Sequence, residues 1–413
     1  MIHLRSQSLS LSGSIQLPLS KSIGNRLLIM SYLASDFDLF FPIPQVDDSL
    51  LLHRLLLDLQ RGERDFYVDN AGTVMRFMTA LLATIPQKSS IGGSMRMNQR
   101  PIKPLVDSLI KLGCTIEYQK EHGFPPLIIH GGLLQSKEPI AVKSEVSSQF
   151  LSALLMIAPE VEGGLTILKP QPAVSQPYIK MTLSLMKKSG IEVIEEDDFW
   201  RIKQGKYIIN NSLSEPDWSS AAFFYSLAVL SHSAEIFFPE LQLQSLQGDS
   251  KVAELYEILG VKSFSSPDGI TIRRVQPPQH NVTADFTDNP DLALPFIAAT
   301  AGLGCIGRFT GLQTLKHKES DRMVALSVEL AKLDMDLRQV DDSEWVLLNS
   351  CRLNPTKSLK SEIVFKTYGD HRIAMSLAPL VLKTKSLFIE NEDVVTKSFP
   401  DFWNQLGQFV LVD

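Results

Sequence analysis

The hydrophobic pattern alternates between amphipathic stretches with helical spacing and short apolar runs that are typical of strands. Five helical stretches end in a similar phrase that leads directly into a strand-like run. They are residues 109–118 (LIKLGCTIEY), 185–194 (LMKKSGIEVI), 256–264 (YEILGVKSF), 330–338 (LAKLDMDLR) and 406–412 (LGQFVLV). This order of elements predicts helices that turn sharply into strands, five times over.

These junctions recur every 70–77 residues when they are anchored on Gly113, Gly190, Gly260, Asp334 and Gly407. A glycine at this position suits the left-handed residue that ends many helices. Any α/β protein contains such junctions, but four successive spacings in so narrow a range make coincidence the weaker explanation. The period is longer than that of helical solenoids, so the pattern favours α/β or α+β globular domains.

An earlier junction at residues 55–68 (LLLDLQRGERDFYV) has Gln60 at the anchor position and precedes Gly113 by 53 residues. We interpret it as a first copy that is shortened, with a hairpin missing. The chain is therefore predicted to contain six copies of a unit of about 70 residues.

Most helical runs open with a short polar phrase. N-capping explains each phrase alone, because Ser, Thr, Asp and Asn accept from unpaired backbone N–H groups, and we keep that interpretation for Asp217, Ser219 and Ser220. Three cations, Lys21, Arg26 and Arg76, stand near helix starts, where the helix dipole disfavours positive charge. A bound phosphate or carboxylate would explain them. A solvated side chain is the alternative for each one.

Three denser phrases follow in the second half: KHKESDRM, YGDHRIAM and KSFPDFW. Ion pairs on an ordinary helix face explain KESDR equally well, and His371 alone is typical of a core histidine. Arg100 precedes Pro101, which places it outside a helix, where its guanidinium can project towards a carboxylate or phosphate. Together the phrases concentrate Lys316, Lys318, Glu319, Arg322, His371, Arg372 and Lys397.

Composition excludes several classes of protein. A length of 413 residues favours two domains, and a net charge of −6 argues against a nucleic-acid-binding protein. No histidines have metal-ligand spacing. The N-terminus lacks the apolar core of a signal peptide, and the longest nearly apolar stretch, residues 292–307, is too short to span a membrane. The cysteines, Cys114, Cys305 and Cys351, read as free thiols, so we expect a cytoplasmic protein.

Ten phrases in order resemble the 5-enolpyruvylshikimate-3-phosphate synthase family of enolpyruvyl transferases. They run from Lys21 to Trp403: SKSIGNR, DNAGTVMR, RMNQRPI, VSSQF, SQPYI, LQGD, NPDLA, KESDR, YGDHRIAM and KSFPDFW. Three positions depart from the family's pattern. Leu19 stands where relatives commonly have glycine, Phe77 where many have proline, and Thr314 where some have asparagine.

The resemblance implies an α/β (α+β) fold in the form of a two-domain inside-out α/β barrel. Each domain would contain three βαβαββ units, with helices inside and sheets outside. Residues 20–215 would form the N-terminal domain, and residues 1–19 with 216–413 the C-terminal domain. Helix N-termini would converge on an active site in the cleft between them.

The implied reaction transfers the carboxyvinyl group of phosphoenolpyruvate to the 5-hydroxyl of shikimate 3-phosphate, through a tetrahedral intermediate, and releases phosphate. No metal or other cofactor is implied, nor a nucleic-acid or membrane partner, and the family tends to be monomeric. Asp291 would take the hydroxyl proton, Glu319 would protonate the methylene carbon, and Lys21 would touch both substrates.

The resemblance also assigns binding residues to each substrate. Shikimate 3-phosphate would be held by Lys21, Ser22, Arg26, Ser147, Ser148, Gln149, Ser175, Tyr178, Asp291, Thr314 and Lys318. Phosphoenolpyruvate would be held by Lys21, Asn70, Gly72, Thr73, Arg100, Gln149, Arg322, His371, Arg372 and Lys397. Each substrate carries a phosphate and a carboxylate, so many fixed cations suit the reaction.

Two other functions compete with this one. UDP-N-acetylglucosamine enolpyruvyl transferase shares the fold and the donor, but usually carries a reactive cysteine on a mobile loop and a KN phrase near the N-terminus. Here Cys114 falls in a helix-to-strand junction and the N-terminal phrase is SKS. A non-catalytic anion-binding homologue is the second alternative, against which the presence of Asp291, Glu319 and Lys397 argues.

Overall fold

Left-handed residues follow helices at four of the five predicted anchors, although at Gly260 a turn of residues 256–260 separates the glycine from the helix Val252–Leu255. Gly113, Gly190 and Gly260 have φ of 100°, 85° and 96°, and Asp334 has φ of 58°. At the fifth anchor, Gly407 has φ of −59° and is not left-handed. The recurring phrase therefore marks a real helix terminus, which glycine adopts at least cost.

The anchor assigned to the earliest copy was wrong. The helix there ends at Gln60, and the left-handed residue is Gly62, with φ of 102°. Nothing lies within 4 Å of a Cβ added at Gly62, so the backbone conformation alone favours glycine there. This copy therefore ends like the others, two residues later than the sequence pattern suggested.

The computed structural model describes residues 1–34, 42–132, 134–136, 138–142, 148–170, 175–209, 213–350 and 362–413, except for the side chains of residues 349 and 350. The chain divides into two compact units. A central unit comprises Lys21–Ser214, and a discontinuous unit comprises Met1–Ser20 with Glu215–Asp413. The expected cleft between two domains stays a prediction.

The central unit begins with two helices, Lys21–Leu33 (α1) and Asp47–Gln60 (α2). The repeat that follows them contains Asp65–Tyr67 (β3), Gly72–Ala83 (α3), Lys88–Gly92 (β4), Lys103–Lys111 (α4), Thr115–Tyr118 (β5) and Leu127–His130 (β6). The next repeat contains Ile140–Ala141 (β7), Ser148–Ile157 (α5), Leu165–Leu168 (β8), Gln176–Lys188 (α6), Val193–Glu195 (β9) and Phe199–Ile202 (β10).

The discontinuous unit opens with Ile2–Ser6 (β1) and Ser10–Ser14 (β2) and resumes after the central unit. Its next elements are Trp218–Leu230 (α7), Ser233–Pro239 (β11), Val252–Leu255 (α8), Val261–Ser266 (β12) and Gly269–Arg274 (β13). They are followed by Asn281–Asp285 (β14), Ala293–Gly302 (α9), Ile306–Thr310 (β15), Arg322–Ala331 (α10), Met335–Gln339 (β16) and Trp345–Ser350 (β17). The last are Val364–Phe365 (β18), His371–Leu377 (α11), Val381–Thr384 (α12), Ser386–Ile389 (β19), Phe402–Leu406 (α13) and Val410–Val412 (β20).

The described residues form five four-stranded sheets with one shared topology. Their orders are β3-β4-β6-β5, β7-β8-β10-β9, β2-β11-β13-β12, β14-β15-β17-β16 and β18-β19-β1-β20. In each, the first two strands pair in parallel and the other pairs are antiparallel. A parallel pair requires a crossover, which a helix supplies, so each sheet with its helices is one βαβαββ repeat. The copy that contains α1 and α2 includes residues 35–41, which lie outside the description.

The N-terminal strands complete repeats whose other elements come much later in the chain. Strand β1 supplies the fourth strand of the last βαβαββ repeat and lies between β19 and β20 in its sheet. Strand β2 takes the first place beside β11. Leu19 then forms an antiparallel bridge with Pro216, where the chain leaves and re-enters the discontinuous unit. Backbone pairing thus joins the two chain segments that make up the discontinuous unit.

Within each unit, burial falls on helices more than on sheets. All thirteen residues of α7 and all ten of α9 are buried. Strands β11 and β14 alternate buried with exposed positions, as expected for sheets with one face towards solvent. Helices therefore form the centre of the discontinuous unit, where Phe224 of α7 packs against Phe238 of β11 and Phe296 of α9 packs against Tyr256.

Among the described residues, no helix has both the length and the apolar character that crossing a membrane demands. Cys114 and Cys305 are buried free thiols. Burial raises the pKa of both, to about 11 for Cys114. Cys351 lies outside the described residues.

Candidate functional site

In the central unit, Lys21 is the first residue of α1. Its Nζ lies 3.1 Å from Oδ2 of Asp48, a buried residue in the first turn of α2. Because Asp48 neutralises the ammonium, Lys21 can stand at a helix start, where the dipole disfavours it. Its side chain keeps 18% of its surface exposed and can contact a ligand.

Arg26 points into the unit. Its Nε donates to Thr182 Oγ1 at 2.7 Å, Nη1 to the carbonyl of Ser22 at 2.7 Å and Nη2 to Ser152 Oγ at 3.1 Å. The guanidinium also lies over the ring of Phe77, 5.5 Å from its centroid. Burial lowers its pKa to about 10. All three nitrogens are engaged by the protein, so these contacts account for the cation without a bound anion.

Arg76 is also buried and directed inwards. Its Nη1 donates to the carbonyl of Gly72 at 2.9 Å, and its Nη2 to the carbonyl of Pro101 at 3.3 Å. These bonds satisfy carbonyl groups near the start of α3 and in the segment beyond it. The hypothesis that a bound anion explains Arg76 is therefore not needed.

Arg100 lies against the N-terminus of α3. Its φ and ψ of −93° and 126° are extended, as predicted for a residue before proline. A Cβ built on Gly72 would come within 2.5 Å of its Nη2, so only glycine leaves room for the guanidinium here. Arg100 Nη1 also approaches the carbonyl of Asn70, at 3.5 Å. The structure thus brings the predicted residues Asn70, Gly72 and Arg100 together.

Helices α3 and α5 meet through a polar pair. Gln149 Nε2 donates to Thr73 Oγ1 at 2.9 Å, so these two predicted residues are also neighbours. Ser148 is buried as the first residue of α5. The predicted Ser147 lies outside the described residues.

Helix α6 contributes Ser175 and Tyr178. Ser175 precedes the helix in the left-handed conformation, with φ of 53°, and Pro177 occupies the first turn as predicted. Left-handed backbone is costly for a residue other than glycine and often accompanies function. The carbonyl of Tyr178 accepts from Arg26 Nη2 at 3.4 Å, which places Tyr178 beside Ser22 and Arg26.

In the discontinuous unit, Asp291 is the centre of a charge cluster. Its Oδ1 accepts from Arg322 Nη1 at 3.0 Å and lies 3.5 Å from Lys318 Nζ. Its Oδ2 accepts from Arg372 Nη2 at 3.1 Å. Burial opposes ionisation, but the charges of Arg372, Lys318 and Arg322 outweigh it and hold the pKa of Asp291 well below its usual range.

Glu319 is a second carboxylate in the same cluster. Its Oε2 accepts from Arg322 Nη2 at 2.9 Å, and its Oε1 lies 3.5 Å from Lys397 Nζ. Arg322 therefore bridges Asp291 and Glu319 with different nitrogens of one guanidinium. The structure brings six predicted residues together here: Asp291, Lys318, Glu319, Arg322, Arg372 and Lys397.

Asp370 completes this cluster and was not among the predicted residues. It is fully buried, its Oδ2 accepts from Arg322 Nε at 2.8 Å, and its Oδ1 accepts from the backbone N–H of Arg372 at 3.0 Å. It is the N-cap of α11. Burial alone would lower the pKa of Arg322, but Asp370, Glu319 and Asp291 raise it above its usual value. An Asp directly before His–Arg in the YGDHR phrase was the available sequence signal for this cap.

The N-capping interpretation of Asp217 was wrong in detail. Asp217 holds the N-cap position of α7, but its carboxylate accepts from the hydroxyls of Ser219 and Ser220, not from a backbone N–H. Ser219 in turn accepts from Arg372 Nη2 at 3.1 Å. A residue set aside as a cap therefore belongs to the charge cluster through Arg372.

Asp249, within the LQGD phrase, is a further buried carboxylate near the cluster. It accepts from Asn289 Nδ2 at 3.2 Å. Burial and the neighbouring charge of Asp291 raise its pKa to about 6. This shift could not be predicted from the local sequence, because Asp291 is distant from Asp249 along the chain.

Thr314 and His371 are both buried, and His371 directly follows Asp370 of the cluster. The hydroxyl of Thr314 has no hydrogen-bond partner among the described residues. His371 is 1% exposed, with its Nδ1 3.7 Å from Asp370 Oδ1. This burial agrees with the alternative interpretation of His371 as a core histidine.

The two sets of residues are suited to binding anions and to moving protons. The cations Arg322 and Arg372 are fixed by carboxylates and are not free to rotate, which is the arrangement that electrostatic stabilisation of a reacting anion requires. Two carboxylates in one cluster can serve as base and acid. Among the described residues, no group of three or more His, Cys, Asp or Glu side chains is placed to hold a metal ion.

Known proteins resemble this chain along nearly its whole length. The family model of EPSP synthase (3-phosphoshikimate 1-carboxyvinyltransferase) matches residues 45–406. A 3-phosphoshikimate 1-carboxyvinyltransferase of Bacteroides fragilis (strain YCH46) is 39% identical, over 98% of this chain and 97% of its own length. That of Cellvibrio japonicus (strain Ueda107) is 30% identical, over 96% and 97%.

Solved structures agree with this relationship at the level of the fold. An EPSP synthase from Acinetobacter baumannii superimposes with a TM-score of 0.75 at 20% identity, covering 100% of this chain and 99% of its own. The predicted fold class is thereby confirmed. With a family model across residues 45–406 and relatives of up to 39% identity over almost the full length, the chain belongs to the EPSP synthase family.

Proposed function

We propose that this chain is a 3-phosphoshikimate 1-carboxyvinyltransferase. It transfers the carboxyvinyl group of phosphoenolpyruvate to the 5-hydroxyl of shikimate 3-phosphate, giving 5-enolpyruvylshikimate 3-phosphate and phosphate. The observation that carries the proposal is the cluster around Asp291, in which two guanidinium groups and an ammonium group surround one carboxylate beside a second, Glu319. The relatives named above carry the same activity in their names.

The charges of the two units match the two substrates. Each substrate is a polyanion with a phosphate of about −1.5 to −2 and a carboxylate. Lys21 and Arg100 supply cations in the central unit, and the Asp291 cluster supplies four more. Arg26 supports the shikimate side indirectly, since its bonds hold Ser22 and Tyr178.

Asp291 acts as the base that takes the 5-hydroxyl proton. With three cations around it, the free carboxylate is ionised but only weakly basic. When substrate phosphate and carboxylate groups pair with Arg322 and Arg372, they compete for the same cations. The pKa of Asp291 then rises towards the range in which a carboxylate accepts a proton well.

Glu319 acts as the acid at the methylene carbon. Lys397 Nζ lies 3.5 Å from its Oε1, close enough to replenish a proton on that oxygen. Arg322 holds the other oxygen and fixes the direction of the carboxyl group. In the same step the substrate oxygen forms its bond to C2 of phosphoenolpyruvate, which balances the addition.

Elimination reverses the proton transfer at carbon. A proton leaves the new methyl group and returns to Glu319, while its C–H electron pair forms the C=C bond. The C–O bond to phosphate breaks, its electron pair departs with the phosphate, and the phosphate takes up the proton that Asp291 had accepted. Cations already placed around the phosphate stabilise the charge that develops on it. Atoms and charges therefore balance without an oxidant, a reductant or a second cosubstrate.

The proposal includes a monomeric enzyme in the cytoplasm. Cys114 and Cys305 are buried thiols, which suits a reducing compartment. Light scattering at micromolar concentration tests the oligomeric state, and a dimer mass would contradict this part alone.

The activity is tested with purified protein, phosphoenolpyruvate and shikimate 3-phosphate. Phosphate release that depends on both substrates, with the enolpyruvyl product identified by mass spectrometry, is the expected result. UDP-N-acetylglucosamine in place of shikimate 3-phosphate should release none. The proposal would be rejected if phosphate were released from phosphoenolpyruvate only when UDP-N-acetylglucosamine is the acceptor, or if it were released with neither acceptor.

A further inference from the structure

Glu329 is a fully buried carboxylate on helix α10, about two turns after Arg322. A buried charge is costly unless donors surround it. Glu329 lies on the same helix as Arg322 of the Asp291 cluster, but its oxygens accept hydrogen bonds from residues outside that cluster.

Both oxygens of Glu329 bind the chain just before α11. Oε1 accepts from the Tyr368 hydroxyl at 2.7 Å. Oε2 accepts from the backbone N–H of Lys366 at 2.9 Å and from Lys332 Nζ at 2.6 Å. Lys332 also donates to the carbonyl of Val364 at 2.7 Å. The Glu329–Lys332 pair therefore binds the short stretch 364–368 at both of its ends.

The segment 366–370 turns sharply where it is held. Tyr368 and Gly369 are successive left-handed residues, with φ of 55° and 67°. Such a conformation is unfavourable for a tyrosine, so surrounding contacts must maintain it. The bond to Glu329 is one of them, and together with burial it raises the pKa of Tyr368 to about 12.

The turn ends at Asp370, which binds Arg322 Nε and the backbone N–H of Arg372. Helix α10 therefore binds the segment 366–370 at two places. Glu329, near the C-terminus of the helix, binds Lys366 and Tyr368, and Arg322, at the N-terminus of the helix, binds Asp370. A shift of the segment would move Asp370, and both guanidinium groups would lose their alignment on Asp291.

We propose that Glu329 is a positioning residue, which fixes the segment 366–370 so that Asp370 aligns Arg322 and Arg372 for the anionic substrate. Its kinetic consequence rests on the function proposed above, in which these two arginines bind phosphoenolpyruvate. Glu329 itself touches no substrate.

The test compares the wild-type protein with Glu329→Gln and Tyr368→Phe. Glutamine keeps the shape of the side chain but offers an N–H to donors, whereas the phenylalanine variant loses a single hydrogen bond at a partly exposed residue and should fold normally. Glu344→Gln is the matched control, because Glu344 is a nearly buried carboxylate of the same unit that accepts from Arg308, while its backbone N–H donates to Asp341.

Two readouts are taken for each variant. Steady-state kinetics give KM for each substrate, and limited trypsin digestion with mass spectrometry gives the rate of cleavage after Lys366, which reports local opening. We expect Glu329→Gln to raise KM for phosphoenolpyruvate at least about fivefold and Tyr368→Phe to raise it less, with KM for shikimate 3-phosphate nearly unchanged. Cleavage after Lys366 should accelerate in both, and the control should change neither readout.

The outcomes separate this proposal from the proposed function. Faster cleavage with an unchanged KM would show a purely structural role and overturn the positioning role, as would no change in either readout. If the wild-type protein does not transfer, calorimetric binding of phosphoenolpyruvate in the presence of shikimate 3-phosphate replaces KM in the same comparison. A wild-type protein that neither transfers nor binds would overturn both proposals.

Discussion

Asp291 and Arg372 are joined twice, although 81 residues separate them in the chain. Arg372 Nη2 lies 3.1 Å from Oδ2 of the Asp291 side chain, and Nη1 lies 3.2 Å from its backbone oxygen. One guanidinium thus holds both the carboxylate and the backbone that carries it. The carboxylate has a fixed direction before any substrate arrives, which is the condition for efficient proton transfer.

Replacement of Asp291 by Asn should reduce kcat far more than it weakens substrate binding. The amide cannot accept the hydroxyl proton, so we expect a loss of about 10²- to 10⁴-fold in kcat. Stopped assays of phosphate release measure the rate, and calorimetry measures binding of shikimate 3-phosphate. Asp285→Asn, an exposed carboxylate that accepts from Thr287, is the control. An Asp291→Asn enzyme with wild-type turnover would remove Asp291 from the mechanism.

Replacement of Arg372 by Lys should raise KM for phosphoenolpyruvate. A single ammonium cannot reach Ser219, the Asp291 carboxylate and the Asp291 carbonyl together, as the guanidinium does. A charged hydrogen bond is worth about 1.5–3 kcal/mol, which corresponds to roughly a 10- to 100-fold increase. Arg308→Lys, at an exposed guanidinium that pairs with the nearly buried Glu344, serves as the comparison. Equal KM values in the two variants would contradict the proposed role.

Gly72→Ala should weaken phosphoenolpyruvate binding while the protein stays folded. The new Cβ would lie 2.5 Å from Arg100 Nη2, so the buried guanidinium must move. We expect KM for phosphoenolpyruvate to rise by about tenfold, equivalent to about 1.4 kcal/mol. Gly132→Ala provides the control, since nothing lies within 4 Å of a Cβ there. A rise in KM for shikimate 3-phosphate alone would argue against this placement of Arg100.

Asp249→Asn should stabilise the protein more at pH 7 than at pH 4. The pKa of Asp249 is raised to about 6 by burial and by Asp291, whereas the unfolded chain releases this proton near pH 4. Between these values the folded state binds more protons, so the contribution of Asp249 to stability falls as pH rises. The asparagine side chain does not titrate, so the variant does not lose this contribution to stability.

The gain of Asp249→Asn over the wild-type protein should therefore grow between pH 4 and 6, by at most about 3 kcal/mol. Urea unfolding at several pH values measures it. Asp291 does not confuse the comparison, since its lowered pKa places its own titration below this window. A difference that is constant with pH, or that shrinks as pH rises, would contradict the raised pKa.

The sequence by itself determined the features that depend on neighbouring residues. Gly113 and Gly190 end helices, and Gly260 ends the turn after one, because a left-handed backbone favours glycine wherever the rest of the chain lies. Lys21 and Ser148 begin helices, and Arg100 is extended before Pro101, for equally local reasons. The family could be inferred for the same reason, since its motifs are short and continuous.

Only the tertiary structure decided what each charge does. Arg26 and Lys21 belong to one short phrase, yet Arg26 turns inwards to Thr182, 156 residues away, while Lys21 stays partly exposed beside Asp48. Asp370 meets Arg322 across 48 residues. Burial and electrostatic interactions depend on distance in space, and a local pattern carries no information about which distant side chain will neutralise a charge.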